Sequence, residues 1–328
     1  RSSSLHVVSA RLVSSPAASI MPSAHNLHKT RQRHRQTAAH RASLLSLVDA
    51  CETALGWADL APLALCDSPE TERVAWASVP ASVDPARGGG LDPARGARKR
   101  WQIESLYTLL SSALGAADAP LNIVDFGAGS GNCSLALAAL LPRGAVTIID
   151  VKKKSLAMAV ERARAAGLAN VATYDGDIFD FDSPFDVGVA LHACGEASDL
   201  ALLKSHAAGA RFVVCPCCVG KVAVAGSERA TRKRNNTTFN LTGENACRVA
   251  YPRSAAVAAV VGADAYGALA AAADFNEASQ VEGPRGALRR LSKSWLEHDR
   301  LLAAREGGQC VTLTRLHPPS ASPKNHVL

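Results

Sequence analysis

The sequence predicts a doubly wound α/β fold around a mostly parallel sheet. Short apolar runs alternate with helical repeats between residues 121 and 215. The runs are apolar on both faces, as strands covered by helices on both sides must be. A glycine-rich turn, FGAGSGN at 126–132, follows the first run, at the sheet edge where such folds bind ligands.

The elements follow in order. Residues 1–42 form a basic head rich in Ser, Ala and Arg. SLLSLVDACETALGW, 43–57, has apolar residues at helical spacing and predicts an amphipathic helix. VPASVDPARGGGLDPARGARKRW, 79–101, is full of Gly, Pro and Arg and predicts a boundary or an exposed loop, so 43–100 is a short helical N-terminal extension with its linker. The main domain, 101–328, opens with a helix over 101–114. Strands at 121–126, 145–150, 170–175, 185–191 and 211–215 then alternate with helices at 132–141, at 154–167 and near ASDLALLKSH. An insert near 219–250 contains the basic run SERATRKRNN, read as a solvated loop. Helical segments near 254–274 and 286–306 precede a late strand over 309–316.

Charge narrows the class of partner. Seven basic residues and no acid lie within 1–48, which equals the whole net charge of +7, so the 29 remaining basic side chains balance 29 acidic ones. A neutral body excludes a protein that coats nucleic acid over its whole surface and leaves room for local basic patches. The apolar stretches are too short for a membrane span. Three of nine cysteines crowd into CPCC at 215–218, which fits a reduced intracellular, cytoplasmic protein; the acid-free head leaves organellar targeting open.

The glycine turn does not suit a dinucleotide. A nicotinamide-binding turn reads G-x-G-x-x-G, whereas here Gly127, Gly129 and Gly131 alternate and Asn132 stands where the last glycine belongs. Asp125 ends the first strand, where its charge would repel a pyrophosphate. S-adenosylmethionine has a cationic sulfonium and an ammonium but no phosphate, so the same acid favours it. Asp150, ending the second strand, can accept the ribose hydroxyls, and Asp177, after the third, the adenine amino group. Leu191 ends the fourth strand at the same edge of the sheet and is a further candidate cofactor contact.

VDFGAGSGN, IIDVKKKSLAMAVERARAAGLANV, FDVGVALHACGEASD and FVVCPCC resemble the methyltransferase domain of the glutathione S-transferase C-terminal domain-containing protein family. The likeness extends to GGLDPARGARKRWQIESL, YPRS at 251–254 and SPKN at 322–325, and is more distant to tRNA 2′-O-methyltransferases. It implies a seven-strand class I S-adenosylmethionine-dependent methyltransferase. It also places a seventh strand just after SPKN, antiparallel between the fifth and sixth. Because the sequence stops at HVL, the expectation is an incomplete hairpin in a chain lacking both its natural ends.

The acceptor side is less determined. The loop after the fourth strand reads LHACG, without the Asn/Asp-Pro-Pro-aromatic tetrapeptide of amino-group methylators, which disfavours methylation of a base amine. His192 could serve as general base toward a hydroxyl or could fix the loop by hydrogen bonds. Asp199 reads as a helix start or cap. Strands four and five are neighbours, so His192, Cys194, Cys215, Cys217 and Cys218 could converge, with Cys194, Cys217 and Cys218 as candidate catalytic thiols beside His192. The thiols could attack a pyrimidine ring, bind zinc or simply shape the loops; C-x-C-C is not a standard zinc spacing, and no metal is expected. Arg98, Lys99, Arg100 and Trp101, with Arg232, Lys233 and Arg234, could contact RNA through phosphate pairing and stacking. The expected function is methyl transfer to RNA, tRNA-like and 2′-O; a catalytically inactive scaffold and a protein or small-molecule methyltransferase are the alternatives.

Overall fold

The computed structural model describes residues 42–50, 53, 74–114, 120–220, 222, 231–234, 237–240, 248–275, 280 and 282–328. The basic head up to residue 41, and most of 51–57 in the predicted first helix, lie outside these. The chain divides into two units, Arg1–Ser43 and Leu44–Leu328, and all but the first two described residues belong to the second.

Five strands form one parallel sheet: β1 (Asn122–Phe126), β2 (Ala145–Asp150), β3 (Val171–Asp175), β4 (Val187–Leu191) and β5 (Arg211–Cys215). Their order is β3-β2-β1-β4-β5. β1 and β4, distant in sequence, lie side by side, so the chain leaves the sheet in opposite directions from a cleft between their carboxyl ends. β4 is buried along its whole length, as its unbroken apolar run requires. Phe181 and Phe185 pack edge-on against Phe126 of β1, with Phe126 and Phe185 centroids 5.6 Å apart.

Helices cover both faces. Residues 42–50 are helix α1, which buries Leu44 and Val48 in the larger core cluster. They are followed by α2 (Pro93–Leu114), α3 (Ser134–Leu140), α4 (Lys153–Ala165), α5 (Ala197–Ala207), α6 (Ala255–Ala258), α7 (Ala263–Ala272) and α8 (Gly283–Glu306). None of the described helices is long and apolar enough to cross a membrane.

The structure corrects the linker. Composition predicts an exposed loop over 79–101, but Val79, Val83 and Asp84 are buried and α2 begins at Pro93. Val79 and Val83 join an apolar cluster with Leu135, Ile148 and Leu156, and Arg87 and Arg100 both bind the Asp84 carboxylate, so apolar burial and charge together draw the segment into the core. The helical pattern near 254–274 becomes two helices separated at Gly262, which is extended. Part of the run read as a solvated loop is a hairpin, β6 (Thr231–Arg234) antiparallel to β7 (Thr237–Asn240).

Of the late strand predicted over 309–316, only β8 (Thr314–Arg315) is extended, and it pairs antiparallel with β9 (His326–Val327). Leu328 and Val214 exchange both backbone hydrogen bonds at 2.9 Å, so the segment after SPKN lies beside β5.

Candidate functional site

β1 delivers the glycine turn to the cleft. Gly127, Gly129 and Gly131 all have left-handed backbone, with φ of 70°, 60° and 74°. A side chain at Gly131 would strike Leu135 at 3.0 Å and Ala159 at 3.2 Å, so this glycine lets α3 and α4 approach. One at Gly129 would meet nothing within 4 Å. The second glycine thus exposes bare backbone toward open space, as close approach to a ligand requires.

Three carboxylates surround the turn. Asp125 is buried in β1 and accepts a 2.5 Å hydrogen bond from Ser134, while its second oxygen has no hydrogen-bond partner among the described residues. Burial pushes its pKa up to about 7, against the lowering effects of Ser134 and the nearby Lys99 cation. Asp150 accepts from the Gly129 N–H at 2.8 Å and from the Lys152 N–H at 2.8 Å, bracing the turn while keeping lone pairs available. Asp177 accepts from the Phe179 N–H at 3.1 Å and pairs with Arg248 at 2.8 Å. Nothing in the sequence signals this arginine as a site residue: it arrives from the far end of the insert. Its guanidinium lies 4.9 Å from the ring centre of Phe179, a large exposed aromatic.

S-adenosylmethionine fits this set. An unpartnered buried carboxylate oxygen suits an ammonium, Asp150 suits ribose hydroxyls, and Gly129 offers backbone without steric obstruction.

The other side of the cleft is built by the loops after β4 and β5. These strands run in register, Leu191 opposite Cys215, so both loops leave the sheet at one level. The His192 N–H donates to the Cys215 carbonyl at 3.0 Å and the Gly195 N–H to the Cys218 carbonyl at 2.7 Å. The Sγ atoms of Cys194, Cys217 and Cys218 lie within 4.8 Å of one another, with Cys194 and Cys217 3.2 Å apart. Lys324, from SPKN, reaches Cys218 Sγ at 3.3 Å and Asp274 at 3.3 Å. Hydrogen bonding from the other two thiols, reinforced by Lys324, pulls the Cys218 thiol well below its ordinary range, while hydrogen bonding to Cys194 and Cys218 pushes Cys217 up.

Two of the five expected groups stay out of this cluster. Cys215 is buried, and its thiol contacts the Lys324 carbonyl at 3.8 Å. Burial pushes its pKa up to about 12. His192 contributes its backbone: φ is 67°, a conformation costing about 1–3 kcal/mol in a non-glycine residue. Its carbonyl accepts from the Cys217 thiol at 3.4 Å. Burial, with Lys99, Lys293 and Lys324 nearby, pulls the imidazole down to about 3, too weak a base to collect a proton at neutral pH. Between the two readings of His192, the structure favours the loop-fixing one.

Asp199 lies in the first turn of α5, as the sequence predicts for a helix start, but it does not cap the helix. It is fully buried, receives two Arg300 bonds at 2.9 and 2.6 Å, one from Tyr251 at 2.8 Å, and lies 3.2 Å from Arg253. Burial alone would raise its pKa, yet the guanidiniums hold it below its ordinary value. The YPRS motif therefore anchors the start of α5. Of the basic residues expected at RNA, Arg100 is engaged by Asp84 and lies 5.1 Å from the Trp76 ring centre. Lys99 interacts electrostatically with Asp125 and Cys217, and burial pulls its pKa down. Arg98 is partly exposed and Trp101 is exposed. The side chains of Arg232, Lys233 and Arg234 lie outside the described part of the hairpin.

Residues 98–225 match the family model of a methyltransferase domain. The chain is 33% identical over 246 residues to a glutathione S-transferase C-terminal domain-containing protein homolog of Drosophila melanogaster, covering 74% of this chain and 38% of that protein. It is 31% identical over 253 residues to the glutathione S-transferase C-terminal domain-containing protein of Mus musculus, covering 77% and 36%. The chain thus spans less than two-fifths of the length of these relatives. Solved structures that it resembles include a SAM dependent methyltransferase from Aquifex aeolicus, at 18% identity over 38% of this chain and 66% of that one, with a TM-score of 0.29.

Proposed function

We propose that this chain, whose methyltransferase domain is similar to that of the glutathione S-transferase C-terminal domain-containing proteins, methylates RNA from S-adenosylmethionine, at a tRNA-like 2′-hydroxyl. The observation that carries the donor half is the turn of three left-handed glycines held between Asp125 and Asp150. Bound S-adenosylmethionine supplies a methyl group on a cationic sulfur that leaves as a neutral thioether. Gly129 gives the donor backbone contact, Asp125 balances its positive charge, Asp150 takes the ribose and Asp177 meets the adenine edge. Leu191 and the loop after it border the methyl, and the chain's part in the transfer is to hold donor and acceptor in line.

β9 and β8, counted outward from β5, would complete the seven-strand order of class I enzymes. The acceptor half rests on the LHACG loop and on the basic start of α2. Arg98 and Trp101 stay accessible for a phosphate and a base, and the basic hairpin β6–β7 supplies Arg232, Lys233 and Arg234. Isotopically labelled donor should be offered RNA, protein and small-molecule pools. Label is expected in RNA, at linkages that resist alkaline cleavage because a methylated 2′-oxygen cannot attack the neighbouring phosphate. Label confined to protein or metabolites would replace the acceptor.

A further inference from the structure

We infer that Cys194, Cys217 and Cys218 form a zinc site of three thiolates with one coordination position left open. The in-register pairing of β4 and β5 brings the ligands together from two loops, one thiol from the first and two from the second. The C-x-C-C spacing conceals the site because it shows only one loop's share. Tetrahedral zinc binds thiolate sulfur at ~2.3 Å, which sets sulfur atoms ~3.8 Å apart. The three Sγ atoms lie within 4.8 Å of one another, with Cys194 and Cys217 at 3.2 Å, on either side of that value.

The surroundings are those of a built site. Two backbone hydrogen bonds join the loops, and Lys293 pins the second by donating to the Pro216 carbonyl at 3.2 Å. Three thiolates and one Zn²⁺ carry a net charge of −1, which Lys324 balances from 3.3 Å. Soft sulfur ligands select zinc against magnesium and calcium. Three protein ligands with an open fourth position match zinc that acts on a substrate rather than zinc that only braces a fold. Cys194 is exposed, so the cluster is open to solvent on one side. A hydroxyl bound at the fourth position would lose its proton more readily, which would help it accept a methyl group. That consequence rests on the methyl-transfer reading; the zinc site does not.

The test uses the full chain, reduced and stripped by a chelator, then titrated with Zn²⁺ against a competing metal dye. One equivalent is expected to bind wild type and Cys310→Ser, whose thiol lies outside the cluster. Cys194→Ser, the exposed ligand and the least disruptive change, and Cys218→Ser should lose that binding, and Lys324→Met should weaken it by about 10- to 100-fold. Co²⁺ in the same protein should give thiolate-to-cobalt charge-transfer absorption that Cys194→Ser abolishes. The site is refuted if reduced wild type binds no zinc, or if Cys194→Ser and Cys218→Ser bind it as wild type does. Calorimetry with S-adenosylmethionine on the same samples separates the two readings. Donor binding without zinc removes only the metal, and zinc without donor binding removes only the methyl-transfer reading.

Discussion

The two sides of the cleft are built by different means. The side after β1 and β2 is local: three glycines, a strand-end acid and a second acid 25 residues later generate the geometry through backbone conformation and short hydrogen bonds. The side after β4 and β5 is assembled from afar, with Lys324 on Cys218, Lys293 on Pro216 and Arg300 on Asp199, across 106, 77 and 101 residues. One side is written into a single motif, whereas the other exists only once the tail and α8 are in place.

That contrast should be visible in stability. Asp199→Ala removes the buried carboxylate shared by Arg300, Arg253 and Tyr251, leaving Arg300 only Glu297, and should cost about 3–5 kcal/mol, the largest effect expected, read from chemical denaturation. Asp150→Ala, on the half-exposed donor side, should cost far less. Equal losses would erase the distinction between the two sides.

The glycines provide a finer contrast. Gly131→Ala crowds Leu135 and Ala159 in a left-handed conformation and should cost about 1–3 kcal/mol. Gly129→Ala meets no neighbour and bears only the conformational cost of about 1–2 kcal/mol, yet should weaken donor binding more. Denaturation and calorimetry on both variants would show the order.

Asp125 gives a pH signature. Its folded pKa of about 7 lies above the ordinary 3.8, so the stability it contributes is fully present below about 4 and is lost as pH rises through 7. The Tm of wild type should therefore fall from pH 5 to pH 8 relative to Asp125→Asn. Donor affinity should run the opposite way, rising by up to about tenfold from pH 6 to pH 8, because a cationic ligand needs the ionised carboxylate. Asp125→Asn should bind weakly at both values. The smallest effect belongs to Arg248→Ala, which removes the ion pair to Asp177 and should raise donor affinity a few-fold.

Legibility in the sequence follows the same division. AVTIID and RFVVC mark β2 and β5 to the residue because parallel strands between helices are largely apolar runs bounded by polar residues. Asp125 and Asp150 were legible because their position at strand ends follows from those runs. The place of Asp199 at the start of α5 is legible, but its ion pair is not, because its partner Arg300 is 101 residues away and has no local signature. The segment over 79–92 was misread because Gly and Pro predict exposure, while two arginines draw Asp84 inward. The thiol cluster was half visible: CPCC stood out, but Cys194 joins it only through strand register, and Cys215 and His192 leave it for reasons of burial and backbone.

The most direct measurement is calorimetry of S-adenosylmethionine with wild type, Asp125→Asn and Asp150→Ala at pH 8. Binding to wild type should be saturable, and each substitution should weaken it by at least about tenfold, or ~1.4 kcal/mol, with NAD giving no heat. Equal affinity in all three proteins, or binding of NAD in place of the methyl donor, would contradict the assignment of this cleft.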